Sequence, residues 1–175
     1  EVAKLLLSRT DVHTHLFRII LAANLSALPA YVRWLHQHTR TGKPLDLTFG
    51  MPSMRGRLFE NRRLYPPLAA VREKVAAAIQ LARSLGIEPV IHHAPACLVP
   101  DEPVRAACVN VQTMQFEVLT GKERDMNFEG DARYGRACER CLARTAGCHG
   151  LPSAYFDADP EVAEAWLRPL SRPWS

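Results

Sequence analysis

Apolar positions in the first half of the chain alternate between short continuous runs and longer stretches that repeat every three to four residues. Residues 3–7 (Ala-Lys-Leu-Leu-Leu) and 17–22 (Phe-Arg-Ile-Ile-Leu-Ala) are the first such runs, and they predict strands buried on both faces. His13 and His15 fall between them, in what reads as a polar turn. Leu28, Tyr31, Val32 and Leu35 then recur at helical spacing, with Asn24 or Ser26 as cap and Pro29 tolerated in the first turn. This helix fades near Thr39, before Gly42. Residues 45–49 predict a third strand, with Gly50 to Gly56 as the loop at its C-terminal end. Leu68, Val71, Val75, Ala78, Ala82 and Leu85 step by three and four residues and predict a long helix, bounded by Pro66-Pro67 and Gly86. Residues 87–91 predict a fourth strand, running into His92-His93-Ala94-Pro95-Ala96-Cys97.

Strands alternating with helices are the signature of a parallel sheet with crossover helices. A closed eight-unit barrel takes about 200 residues or more. The expected fold class is therefore α/β: a partial (β/α) barrel-type parallel sheet with its helices over residues 1–97, followed by an irregular, cysteine-rich, metal-binding segment over residues 98–175. In that second segment Val109 to Val118 can form a strand, and residues 120–137 read as a polar loop. The last helix has a clear start, Asp159 as N-cap and Pro160 in first position, and an apolar stripe of Val162, Trp166 and Leu170 limited by Pro169 and Pro173.

The 175 residues suit one compact unit, and an apolar fraction of 47% is that of a globular core. No apolar run approaches the ~20 residues that span a bilayer, so no membrane partner is expected. The N-terminal run lacks a basic region and a small-residue cleavage site, so no secretory signal is expected. The chain opens without Met directly on an apolar run, and the expectation is a piece of a longer polypeptide. The net charge of +4 is modest, and its basic residues are spread along the chain apart from Arg55, Arg57, Arg62 and Arg63. That is not the concentrated basic face of a nucleic-acid reader.

Cysteines change the picture. Of the five, Cys138, Cys141 and Cys148 fall within eleven residues as C-x2-C-x6-C. An odd count without a secretory signal argues for a reducing, cytoplasmic setting, where clustered thiols mean metal. A two-residue spacing lets one tight turn aim both sulfurs at one ion or cluster and leaves backbone N–H groups to bond the sulfurs. Gly147 and Gly150 permit the turns, and Arg136, Arg140 and Arg144 are expected to favour the thiolates. Structural zinc needs a fourth ligand, and an iron–sulfur cluster is equally served by three local cysteines and one remote. Cys97, at the C-terminal end of a predicted strand, is the stronger remote ligand. Cys108, among small apolar residues, and His149 are the alternatives.

The stretch Cys138-x2-Cys141-x6-Cys148-x-Gly150-Leu151-Pro152-x2-Tyr155 resembles the C-terminal cluster segment of radical S-adenosylmethionine (radical SAM) proteins, related to their SPASM and twitch-type auxiliary regions. Asn24 to Pro29 resembles the start of a helix after a barrel strand in those proteins. Gly86-Ile87-x-Pro89-Val90 leading to Pro95-x-Cys97 resembles their last barrel strands. The likeness spans roughly residues 17–156. It implies an auxiliary [4Fe–4S] cluster on Cys138, Cys141, Cys148 and Cys97 that tunes or relays electrons, or binds substrate at an open iron site. Two hallmarks of the family are missing from this sequence: the C-x3-C-x2-C that holds the catalytic cluster, and the Gly-Gly-Glu-type turn that holds S-adenosylmethionine. The resemblance therefore implies a C-terminal half that is inactive alone. S-adenosylmethionine, cleaved to a 5′-deoxyadenosyl radical, would enter only with an N-terminal barrel half or a partner subunit supplying it. The alternatives are a zinc-stapled, non-enzymatic binding module and an inactive truncated remnant.

Other residues carry weaker expectations. His92 and His93 could face a substrate or the metal centre. His13 and His15, two apart, have no third ligand in sequence. His36 and His38 close a helix whose dipole favours His⁺. The Gly50–Gly56 loop either lines a pocket or simply connects. Trp34, Trp166 and Trp174 read as packing residues, and Asp125, Glu129 and Asp131 as a solvated loop. No Ser–His–Asp signal, paired-carboxylate pattern or phosphate-binding glycine loop is present.

Overall fold

The structure is a computed structural model and describes residues 1–52, 57–99, 113–117, 123–127, 132–145, 148 and 150–170. Cys108, Glu129, Asp131, His149 and Trp174 lie outside the described residues.

The central feature is a three-stranded parallel sheet in the order β1 (Thr14–Ile19), β2 (Leu45–Gly50), β3 (Pro89–His92). Helix α2 (Leu28–His38) connects β1 to β2. The short α3 (Arg57–Glu60) and the long α4 (Leu68–Ser84) lie between β2 and β3. The fold is thus mixed α/β, and among the described residues the sheet does not close into a barrel. Register places Leu16 beside Leu47, Leu47 beside Pro89 and Phe49 beside Ile91. Because residues paired in register share a face, these residues make one apolar face. Helices α2 and α4 complete the core over it with Leu28, Val32 and Leu35, and with Val71, Val75, Ala78, Ile79 and Ala82, all buried. The 3.6-residue period of both helices is why these positions share one stripe.

The other sheet face carries His15, Phe17 and Ile19 from β1, Asp46, Thr48 and Gly50 from β2, and Val90 and His92 from β3. Among the described residues no helix covers it, and Phe17 and Ile19 remain 49% and 43% exposed. This corrects the expectation that the early strands are buried on both faces. The β1 ladder also starts at Thr14, whose N–H bonds the Pro44 carbonyl, three residues earlier than the apolar run suggests. His13 and His15 are therefore at the head of a strand and not in a turn.

Residues 3–7 are a helix and not a strand: α1 spans Val2–Ser8. Only Leu7 of its apolar residues is buried, and the Arg40 N–H bonds the Leu7 carbonyl. A five-residue apolar run carries no periodicity that separates the two states, and one anchoring side chain suffices for a short helix. In the second half, β4 (Thr113–Glu117) falls within the expected strand. It pairs antiparallel with β5 (Glu123–Asn127), inside the stretch read as polar loop. A two-strand ladder β6 (Ala132–Arg133) with β7 (Leu151–Pro152) follows. The short helices α5 (Leu142–Thr145) and α6 (Ser153–Ala158) and then α7 (Pro160–Trp166) are the remaining helices among the described residues. Asp159 caps α7 as expected, its carboxylate accepting from the Glu161 and Val162 N–H groups at 3.1 and 3.0 Å, a cap worth about 1 kcal/mol.

The C-terminal segment is fastened to α4 rather than tethered beside it. The Tyr155 hydroxyl donates to the Pro66 carbonyl at 2.7 Å, and the Trp166 indole N–H to the Leu68 carbonyl at 2.7 Å. Leu151, Tyr155, Ala163, Trp166 and Leu167 enter the same core as the sheet. Among the described residues no helix is long and apolar enough to cross a membrane.

Candidate metal centre

Strand β3 ends at His92, and the chain turns through Pro95 into a single 3-10 turn, Ala96–Leu98, that buries Cys97. Cys138 lies within the 3-10 turn Arg136–Arg140, and Cys141 follows directly, ahead of α5. Cys148 is buried two residues before Gly150. Cys97, Cys138, Cys141 and Cys148, the four expected ligands, line one small apolar pocket together with Pro95, Ala143 and Leu167. All four are free thiols. The remote position thus belongs, among the described residues, to Cys97, some 40 residues from the local three in sequence and beside them in space.

Each sulfur receives a backbone N–H. Cys148 accepts from Ala96 at 3.4 Å and from Gly150 at 3.5 Å, and Cys141 accepts from Leu170 at 3.3 Å. Backbone bonds from Arg168 and Gly135 favour the thiolates of Cys97 and Cys138. A backbone bond to a cysteine sulfur favours the thiolate over the thiol. Gly150 makes this possible. It has φ +82°, and a Cβ there would lie 2.2 Å from the Arg133 carbonyl oxygen. Gly150→Ala is expected to cost roughly 1–3 kcal/mol through backbone strain and to weaken metal retention. Chemical denaturation and metal analysis of the purified variant measure both; unchanged values would contradict the loop account.

Burial opposes the charge. It pushes the Cys97 thiol up to about 11, helped by its neighbours Cys148 and Cys138 and opposed by Arg72. Burial also raises Cys138, with Cys141 and Cys148 adding to the effect. Without metal Cys97 therefore holds its proton at neutral pH. The folded value lies above the ordinary 9.0, so the folded metal-free chain binds more protons than the unfolded chain between the two values. Stability is then full below about pH 9 and falls as pH rises towards 11. Denaturant titrations of the metal-free chain at pH 8 and pH 10.5 should show the drop, and Cys97→Ala should remove most of it.

The three arginines expected around the thiols are exposed. Arg144 lies over the Tyr134 ring at 4.6 Å, and the Tyr134 hydroxyl donates to the Cys148 carbonyl at 2.5 Å. The cation that bears on Cys97 is Arg72, from α4. It was not legible in sequence as a partner of Cys97 because the contact is tertiary, between a helix and a turn 25 residues later.

The histidines lie elsewhere. His92 packs edge-on against Phe17 at 5.6 Å and near His93 at 6.1 Å; neither lines the cysteine pocket. His93 has a left-handed backbone, φ 54°. Burial, with His93 and His15, lowers the His92 pKa. His15 shares a 2.9 Å hydrogen bond with Thr48, and His13 pairs with exposed Asp46 at 2.9 Å. His38 bonds the Trp34 carbonyl and stacks on its ring, a structural role for the helix end. Met51 and Pro52 of the loop after β2 are buried.

Among the described residues no three His, Cys, Asp or Glu side chains form a group set to hold a metal ion. No family model, curated protein or solved structure matches the chain.

Proposed function

We propose that this chain carries a [4Fe–4S] cluster on Cys97, Cys138, Cys141 and Cys148. It would be the C-terminal, auxiliary-cluster portion of a radical S-adenosylmethionine protein. The observation that carries the reading is the convergence of four free thiols on one pocket, each with a backbone N–H directed at its sulfur. One tetrahedral zinc, with Zn–S near 2.3 Å, needs sulfurs only about 3.8 Å apart. A cluster places a separate iron at each thiolate and tolerates sulfurs spread around a cavity.

A bound cluster supplies one-electron chemistry at this site. The chain's own residues prepare the place. The thiols release their protons to solvent as metal enters, which links uptake to pH. Ala143, Leu167 and Pro95 keep the pocket apolar, and the N–H donors from Ala96, Gly150 and Leu170 offset the thiolate charge. Free thiols of this kind suit a reducing compartment such as the cytoplasm.

The sheet supports the rest of the reading. Parallel sheets occur almost only with both faces covered. Here one face, with Phe17, Ile19 and His92, has no covering helix among the described residues, and β1 and β3 are both edges. A complementary barrel half, in the same polypeptide or in a partner subunit, would pair with these edges and enclose that face, bringing the S-adenosylmethionine chemistry this chain lacks. Anaerobic loading with iron and sulfide tests the metal assignment. Iron and acid-labile sulfide bound together support it, and zinc alone overturns it.

A further inference from the structure

The cluster reading leaves one charged group unexplained. Arg72, from α4, reaches across to the turn holding Cys97. Its Nη2 donates to the Trp166 carbonyl at 2.7 Å and to the Cys97 carbonyl at 3.4 Å, and its guanidinium lies over the Trp166 ring at 4.4 Å. Its Nε is buried with no hydrogen-bond partner. Among the described residues no carboxylate pairs with it, although five other ion pairs are formed. A half-buried guanidinium whose Nε is closed off from water, held only by carbonyls and a ring, is favoured by a negative charge nearby. The nearest source of that charge is the cysteine centre, since four thiolates around an iron–sulfide core are net anionic.

We infer that Arg72 is the counter-charge of the cysteine centre: fixed against the Cys97 carbonyl, it stabilises the extra negative charge that a bound cluster takes up on reduction and so raises its midpoint potential. This rests on the proposed cluster. The step is one electron into the cluster from an external reductant, with no bond to a cysteine broken. Arg72 is a positioning residue in this account, because it touches a ligand's backbone and not the metal. The second nearby cation, Arg168, lines the same pocket, but its side chain is exposed and its Nη1 donates to the Ala165 carbonyl at 3.2 Å, so solvent screens its charge.

The test is an anaerobic redox titration of the loaded full chain, with dithionite as reductant and visible absorption as readout. Arg72→Gln should bind iron and sulfide as the parent chain does, yet shift the reduction equilibrium at least tenfold against reduction, about 60 mV for one electron. Arg72→Lys, which keeps the charge, should stay close to the parent. A loaded Arg72→Gln with the parent potential overturns the inference, and so does a loaded Arg72→Lys displaced as far as Arg72→Gln. If Arg72→Gln fails to load while Arg72→Lys loads with the parent potential, the charge is required and the inference stands. If neither loads, the bond to the Trp166 carbonyl is the requirement and the inference falls. A parent chain that takes up no iron instead removes the cluster reading itself, together with the inference built on it.

Discussion

Cys148→Ala is expected to abolish cluster retention, with iron and sulfide falling to background and absorption near about 400 nm lost. The structure gives a specific reason for choosing this residue. Cys148 is buried and accepts from two backbone donors, Ala96 and Gly150. It therefore ties the turn after β3 to the cysteine loop. Removing its sulfur takes away a ligand and leaves two inward N–H groups without an acceptor, each costing about 1–3 kcal/mol. Cys97→Ala should lose the cluster as well, whereas Cys108→Ala should keep it. The reverse result for that pair would move the fourth ligand to Cys108.

Phe49→Ala should lower stability by about 3–5 kcal/mol, the range for deleting a fully buried aromatic ring. Phe49 is fully buried on the central strand, in register with Ile91. In a protein of this size the loss corresponds to a melting temperature lower by about 6–20 °C, read by thermal denaturation. Phe17→Ala, on the uncovered face of β1, should cost under about 1 kcal/mol. Equal losses for the two would mean that the second sheet face is packed in solution, contrary to the structure.

These two sites also mark what the sequence made legible. Helices α2 and α4 and strand β2 stand where apolar spacing put them, because each has one covered stripe that the 3.6- or 2-residue period records. Asp159-Pro160 announced α7 for an equally local reason, a side chain serving two N–H groups next to it. The errors arose where tertiary context decides. α1 has a single buried anchor, Leu7, which a five-residue run cannot distinguish from a strand. β1 begins three residues early because its register is set by β2 through the Thr14–Pro44 bond, and two of its three apolar residues, Phe17 and Ile19, face a surface with no helix over it among the described residues. β5 was hidden by polarity, since a hairpin ladder is held by backbone bonds to β4 and needs no apolar run.

The cysteine site divides in the same way. Spacing exposed Cys138, Cys141 and Cys148, and the strand-end position pointed to Cys97. The groups that complete the pocket carry no local signal. Arg168 and Leu170 act through backbone N–H groups, which any residue supplies. Arg72 acts from a helix 25 residues before Cys97, and nothing local in the sequence joins the two.

The most direct test of the central claim is metal analysis of the full chain, purified and loaded under strict anaerobic conditions, with iron, zinc and acid-labile sulfide counted per chain beside the visible spectrum. The account predicts a brown protein with about four iron and four sulfide per chain, lost together in Cys148→Ala. A colourless protein holding one zinc per chain, with no sulfide, would contradict it.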